Sequence, residues 1–191
     1  MKKLSLALVA ISMMAAAALA QGKANYSGTW NLDKDKSTFS GPMRFEAMTL
    51  TVAQTAKDIK VDTATKRLPP PDGASPNAPA GAPPAGLGRG PGRGFGGMGD
   101  GSATYSLDGR ELRVEMDGPN GKMPVVYKGS AGSDGSLTLS NSRTFSGPMG
   151  EISMTTKETW RLSADGKTLT IDRESTTPRG QQTAKLVFVR G

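Results

Sequence analysis

The chain has 191 residues, including 25 glycines and 13 prolines, and contains neither cysteine nor histidine. Those two zeros exclude disulfides, thiol nucleophiles, Cys/His zinc sites and every mechanism that needs an imidazole base. A net charge of +7 and a hydrophobic content of 36% describe a basic protein with one modest core and some chain that cannot fold around it.

Residues 1–20 read as a signal peptide. Lys2 and Lys3 form the positive region, Leu4 to Leu19 is uncharged, and Ala18-Leu19-Ala20 is a small-x-small cleavage site before Gln21. A single membrane anchor is the weaker alternative, because the apolar stretch is short, Ala-rich and followed at once by Gln21-Gly22-Lys23. With no cysteine after the site, a lipid anchor there is excluded. The expectation is a periplasmic or secreted protein whose residues 21–191 form a single domain, with no transmembrane segment once the leader is removed.

Within that domain, residues 69–101 hold 8 of the 13 prolines and 11 of the 25 glycines. The first half, from Pro69-Pro70-Pro71 to Pro83-Pro84, favours extended polyproline II. The second half, Gly88-Arg89-Gly90-Pro91-Gly92-Arg93-Gly94-Phe95, resembles an RGG tract. Such a segment buries too little apolar surface to order itself, so a disordered insert between strands is expected. Its added closure entropy is only roughly 2 kcal/mol, which a stable fold tolerates.

Elsewhere the dominant signal is period-two alternation, rich in Thr, Val and Ile. It predicts about ten strands: 27–32, 45–54, 58–67, 102–107, 110–117, 122–130, 136–145, 151–162, 166–176 and 181–190. Asp-Gly at 108, 134 and 165 alternates with Pro-x-Gly at 119, 148 and 178, so a two-strand unit recurs every 26–31 residues. The hexapeptide Thr38-Phe39-Ser40-Gly41-Pro42-Met43 returns at Thr144–Met149, which suggests that the first strands share this origin. Short sequential connections make an all-β antiparallel up-and-down meander, whose edges are best removed by closing into a barrel; a β-sandwich is the alternative. Outward faces of Thr, Ser, Lys and Glu disfavour an outer-membrane barrel.

Ser27-Gly28-Thr29-Trp30, opening the first strand of this meander, resembles the Gly-x-Trp motif of lipocalins. Together with Asn31-Leu32-Asp33 and Lys36-Ser37 it is similar to uncharacterised lipocalin-like secreted proteins of bacteria. The resemblance implies that Trp30 closes one barrel end beneath a basic residue from the last strand, a role that Arg190 matches. The lipocalin Thr-Asp-Tyr turn motif is absent, and ten strands fit the related fatty-acid-binding proteins better than the eight of a lipocalin.

Some positions on the apolar faces are polar. If Ile152, Met154, Trp160 and Leu162 point inward, so does Glu158, and Arg173 joins Leu169 and Ile171. Pairing Leu162 with Leu169 sets Trp160 opposite Ile171 and Glu158 opposite Arg173. On the neighbouring strand Asn141 and Arg143 share the face of Leu137, Leu139 and Phe145. An interior cluster of Asn141, Arg143, Glu158 and Arg173 follows, beside Trp160 and Tyr127. Buried charges need partners, so Glu158 and Arg173 satisfy each other and Arg143 calls for an anion. Interior arginines hold the ligand carboxylate in fatty-acid-binding proteins, which this arrangement resembles. The other reading is a structural ion pair near a rim, with Trp30, Trp160, Tyr105 and Tyr127 as core.

Three functions remain open. The first is an exported protein that binds a hydrophobic or amphipathic anion in the barrel. The second is a non-enzymatic envelope module with a solid core and weak polyanion contact through Arg89 and Arg93. The third is an enzyme using interior carboxylates, which is disfavoured because Glu111, Glu115, Asp117 and Glu174 fall mainly on the solvent face. Methionine-only copper binding, nucleic-acid binding and any cofactor are not expected. Cavity volume separates the first two.

Overall fold

Strand after strand buries one face, and the alternation that predicts this is obeyed along most of the chain. The computed structural model describes residues 24–40, 45–68, 100–118, 121–147, 150–178 and 180–191. The expected leader, the insert up to Gly99, the Arg89 and Arg93 tract and the tips of the Pro-x-Gly turns lie outside the described residues.

The strands are β1 (Gly28–Leu32), β2 (Thr38–Phe39), β3 (Phe45–Gln54), β4 (Asp58–Arg67), β5 (Gly101–Ser106), β6 (Asp108–Gly118), β7 (Gly121–Ala131), β8 (Leu137–Gly147), β9 (Gly150–Leu162), β10 (Thr168–Thr177) and β11 (Gly180–Arg190). Ten of them hydrogen-bond in the order β5-β4-β3-β1-β11-β10-β9-β8-β7-β6, all antiparallel, and the short β2 adds to β11. The sheet curls into a nearly closed barrel, so the sandwich alternative does not hold. The first strand lies between the third and the last, with Trp30 opposite Leu50 on one side and Arg190 on the other.

The Asp-Gly turns behave as their chemistry dictates. Asp165 accepts hydrogen bonds from the Ser163 hydroxyl (2.6 Å) and the Lys167 amide (3.0 Å), while Gly166 supplies the φ of +68° that closes the turn. Asp134 does the same with the Ser136 hydroxyl and amide, and these bonds hold both carboxyls below their ordinary range.

Asp108-Gly109 keeps this chemistry: the Ser106 hydroxyl (2.9 Å) and the Arg110 amide (3.0 Å) donate to Asp108, and Gly109 has a φ of +85°. What differs lies beyond the turn: β5 and β6 do not go on to pair with each other, and Asp108 pairs with Ser130 of β7. The ladder is bulged between Asp108 and Glu111. The end of β5 packs instead on β7. A Cβ at Gly129 would stand 2.9 Å from the Ser106 carbonyl, and the Tyr105 and Tyr127 rings meet edge to face at 5.2 Å. β5 and β6, the two ends of the strand order, thus form a seam with no ladder between them. The repeated hexapeptide also diverges. Thr38–Phe39 is a two-residue strand on β11, whereas Thr144 lies within the long β8.

The barrel is plugged at the Gln54, Ala131 and Leu162 end. Trp30, Trp160, Tyr26, Phe188, Ile59, Leu137 and Leu169 are all fully buried there. The Trp30 indole N–H donates to the Tyr26 carbonyl (2.9 Å), and the Tyr26 hydroxyl donates to the carbonyls of Gly135 and Trp160. Gln54 anchors the crossing segment by accepting from the Tyr26 amide (2.8 Å) and donating to the Ala24 carbonyl (3.1 Å). Outside the plug the Arg190 guanidinium lies 4.3 Å over the Trp30 ring and donates to the carbonyls of Ser27 and Gly166.

This arrangement gives the Gly-x-Trp motif a physical reason. Gly28 has φ +137°, and a Cβ there would fall 2.6 Å from the Arg190 Nη1. Among the described residues the large exposed apolar side chains are Leu68, Val114 and Val189, which do not make the outer apolar band of a membrane barrel. No helix among those residues is long and apolar enough to cross a membrane.

Gly28→Ala combines backbone strain with eviction of Arg190, and is expected to cost about 1–3 kcal/mol in urea unfolding. Arg190→Ala in that background should cost less than in the wild type, because the stacked cation has already been displaced. Additive losses would show that the two residues act separately.

Candidate functional site

Depth along the barrel is read from the inward positions of each strand. On β8 they run Leu137, Leu139, Asn141, Arg143, from buried and apolar to half-buried and charged. On β10 they run Leu169, Ile171, Arg173, Ser175, and on β9, in the opposite direction, Trp160, Glu158, Thr156. The plug is therefore apolar, and a polar collar sits above it. The ladder pairs Leu162 with Leu169, Trp160 with Ile171 and Glu158 with Arg173, the register expected from alternation.

Above the plug is a cavity of about 380 Å³. One wall carries Asn141, Arg143, Glu158 and Arg173, with Tyr105 and Tyr127 beside them. The rest is mainly apolar, with Met48, Leu50 and Val61 from β3 and β4 and Ile171, Leu186 and Phe188 from β10 and β11. All six interior residues singled out from the sequence, Asn141, Arg143, Glu158, Arg173, Trp160 and Tyr127, border this one space. Trp30 and Arg190 sit at the closed end instead, outside the cavity lining.

Arg173 is only 6% exposed, and its Nη1 stands 3.5 Å from Glu158 Oε1. The second carboxylate oxygen, Oε2, accepts the Trp160 indole N–H at 2.8 Å. Burial pulls the Arg173 pKa below its ordinary value, the Glu158 carboxylate opposes that pull, and the nearby Arg143 cation adds to it. A guanidinium nevertheless stays charged, so the interior holds two cations and one fixed anion. Higher on the same face, Thr156 and Ser175 share a hydrogen bond of 3.3 Å.

The tyrosines remain neutral. Burial pushes Tyr105 up strongly, the Glu158 charge pushes it further, and a hydrogen bond from Asn141 works the other way. Burial raises Tyr127 too, against the pull of Arg143. Its hydroxyl donates to the Met116 sulfur at 3.6 Å. Both rings thus offer neutral hydroxyls next to a cationic wall.

The cavity opens at the seam. Its exposed lining residues are Asp100, Gly101 and Ser102 at the start of β5, and Glu115 and Asp117 near the end of β6. Sequence alternation places Glu115 and Asp117 on the solvent face, where they are indeed exposed. It misses that they also rim the cavity, because β6 lacks a ladder partner on that side and both of its faces border the opening. Among the described residues no group of three acidic side chains is placed to hold a metal ion.

Removing Glu158 leaves a buried guanidinium without its counter-charge. Glu158→Ala should therefore lower stability by about 3–5 kcal/mol, and Glu158→Gln by less because it keeps an acceptor for Trp160. Equilibrium urea unfolding followed by tryptophan fluorescence measures both.

No protein-family model matches the chain, and no curated protein matches it. Among solved structures, it is similar to the zebrafish ileal bile acid-binding protein complexed with cholic acid, at 13% identity and a TM-score of 0.44, over 87% of this chain and 98% of that one.

Proposed function

We propose that the protein is a non-enzymatic binding protein for a small hydrophobic or amphipathic anion, held inside the barrel. The observation that carries this reading is the cavity of about 380 Å³, with two guanidinium groups on one wall and an apolar surface facing them. A solid-core module has no use for such a space. Small-molecule sites typically pair a mainly apolar lining with a few convergent polar groups, at volumes of about 300–1,000 Å³.

Arg143 and Arg173 take the anionic head, with hydroxyl donation from Tyr105, while Glu158 holds Arg173 in place. The apolar body lies against Met48, Leu50 and Val61. Arg143 is the half-buried cation of the pair, and it sits nearer the mouth than the Arg173–Glu158 level.

Arg143→Ala should weaken binding of decanoate by roughly 10- to 100-fold, the range for loss of a charge-assisted hydrogen bond. Arg143→Lys should recover part of that loss. Nuclear magnetic resonance titration with carboxyl-¹³C decanoate measures both the affinity and the environment of the head group. Unchanged affinity in Arg143→Ala overturns the assignment.

The proposal includes export into a bacterial envelope, supported by Lys2, Lys3 and the Ala18-Leu19-Ala20 cleavage pattern. Mass spectrometry of protein recovered from periplasm or medium should find a chain that starts at Gln21. A chain retaining Met1–Ala20 in the cytoplasm would contradict it.

A further inference from the structure

The charged groups around the cavity are sorted by depth. The shielded ones are Arg143, Arg173 and Glu158, which leave one net positive charge among the described residues. The exposed ones are all carboxylates: Asp100 on the β5 side of the mouth, Glu115 and Asp117 on the β6 side. Their surroundings offset them only in part. The Thr65 amide donates to Asp100 (2.6 Å), and Lys122 pairs with Asp117 (2.6 Å) within the field of Glu115.

From this layout we infer that the cavity takes amphiphiles carrying one negative charge and rejects those carrying two. The inference rests on the reading that the ligand's anion sits at the arginine wall. A doubly charged head group meets Glu158 as well as the arginines. That carboxylate cannot turn away, because one oxygen is committed to Arg173 and the other to the Trp160 indole. A second charge at the far end of the ligand meets the mouth instead. A ligand long enough to reach from the arginine wall to the opening brings its distal end to Asp100, Glu115 and Asp117. The head-group cluster thus limits charge at one end, and the carboxylate rim limits it at the other.

Three probes of equal chain length separate these effects: decanoate, decyl phosphate and decanedioate. They are titrated calorimetrically into the full chain at about pH 8, where an alkyl phosphate is fully ionised. Decanoate should bind roughly ten-fold tighter than either of the others, the effect of one unfavourable charge contact in a partly shielded site. Glu158→Gln should raise decyl phosphate relative to decanoate by roughly ten-fold, through removal of the fixed interior anion. The double variant Glu115→Gln, Asp117→Asn, confined to exposed positions, should raise decanedioate relative to decanoate instead. The inference falls if decyl phosphate or decanedioate binds the wild type as tightly as decanoate, or if folded variants leave these ratios unmoved. Should Glu158→Gln fail to fold, the wild-type series and the rim variant decide. If the wild type binds none of the three probes, the anion-site reading itself fails, and the charge limit with it.

Discussion

Two tryptophans are buried almost completely in this barrel, and each brings an indole N–H that needs an acceptor. An unsatisfied donor in such a place would cost about 1–3 kcal/mol, so the position of each acceptor is a strong constraint. Trp30 donates to Tyr26, the Tyr26 hydroxyl donates to the Trp160 carbonyl, the Trp160 indole donates to Glu158, and Glu158 pairs with Arg173. Arg190 covers the outer end of this series from over the Trp30 ring. One continuous line of polar contacts therefore runs from the outside of the closed end to the wall of the cavity. The residues that seal the barrel also fix the orientation of the residues that give the cavity its charge.

That continuity explains why a basic cluster persists inside a small core. A buried ion pair seldom adds stability over a well-packed apolar replacement, so its presence is better read as a device for orientation. Glu158 is held between Arg173 and Trp160, so both charged side chains are already oriented at the cavity wall. Preorganisation of this sort lowers the cost of binding without any added contact.

Much of this was legible in the sequence, for a specific reason. Strands have a period of two, so the side chain opposite a given residue follows from counting once one hairpin is anchored. Ser163 and Asp165 anchor the β9–β10 turn so tightly that the Glu158–Arg173 pairing follows from it. The same counting placed Asn141 and Arg143 on the inner face of β8. It did not reveal that β5 and β6 fail to pair, because the Asp-Gly signal at 108 is the same as at 134 and 165. The turn itself forms there as read, but the strands on either side of it do not pair, and the end of β5 lies close to Gly129 of β7 instead. With the seam unseen, Glu115 and Asp117 read as ordinary surface acids, and Asp100 as part of the 69–101 insert. The two-residue β2 was missed too, since its partner β11 lies more than a hundred residues away and nothing local marks the pairing.

The seam has a mechanical meaning as well. Everywhere else around the wall, widening the barrel would break a row of backbone hydrogen bonds. Between β5 and β6 there is no such row, and the two strands are tied at the Ser106–Arg110 turn. The wall resembles a cuff fastened at one end, able to spread toward the mouth against side-chain packing alone. Spreading of that kind would leave every ladder in the sheet intact.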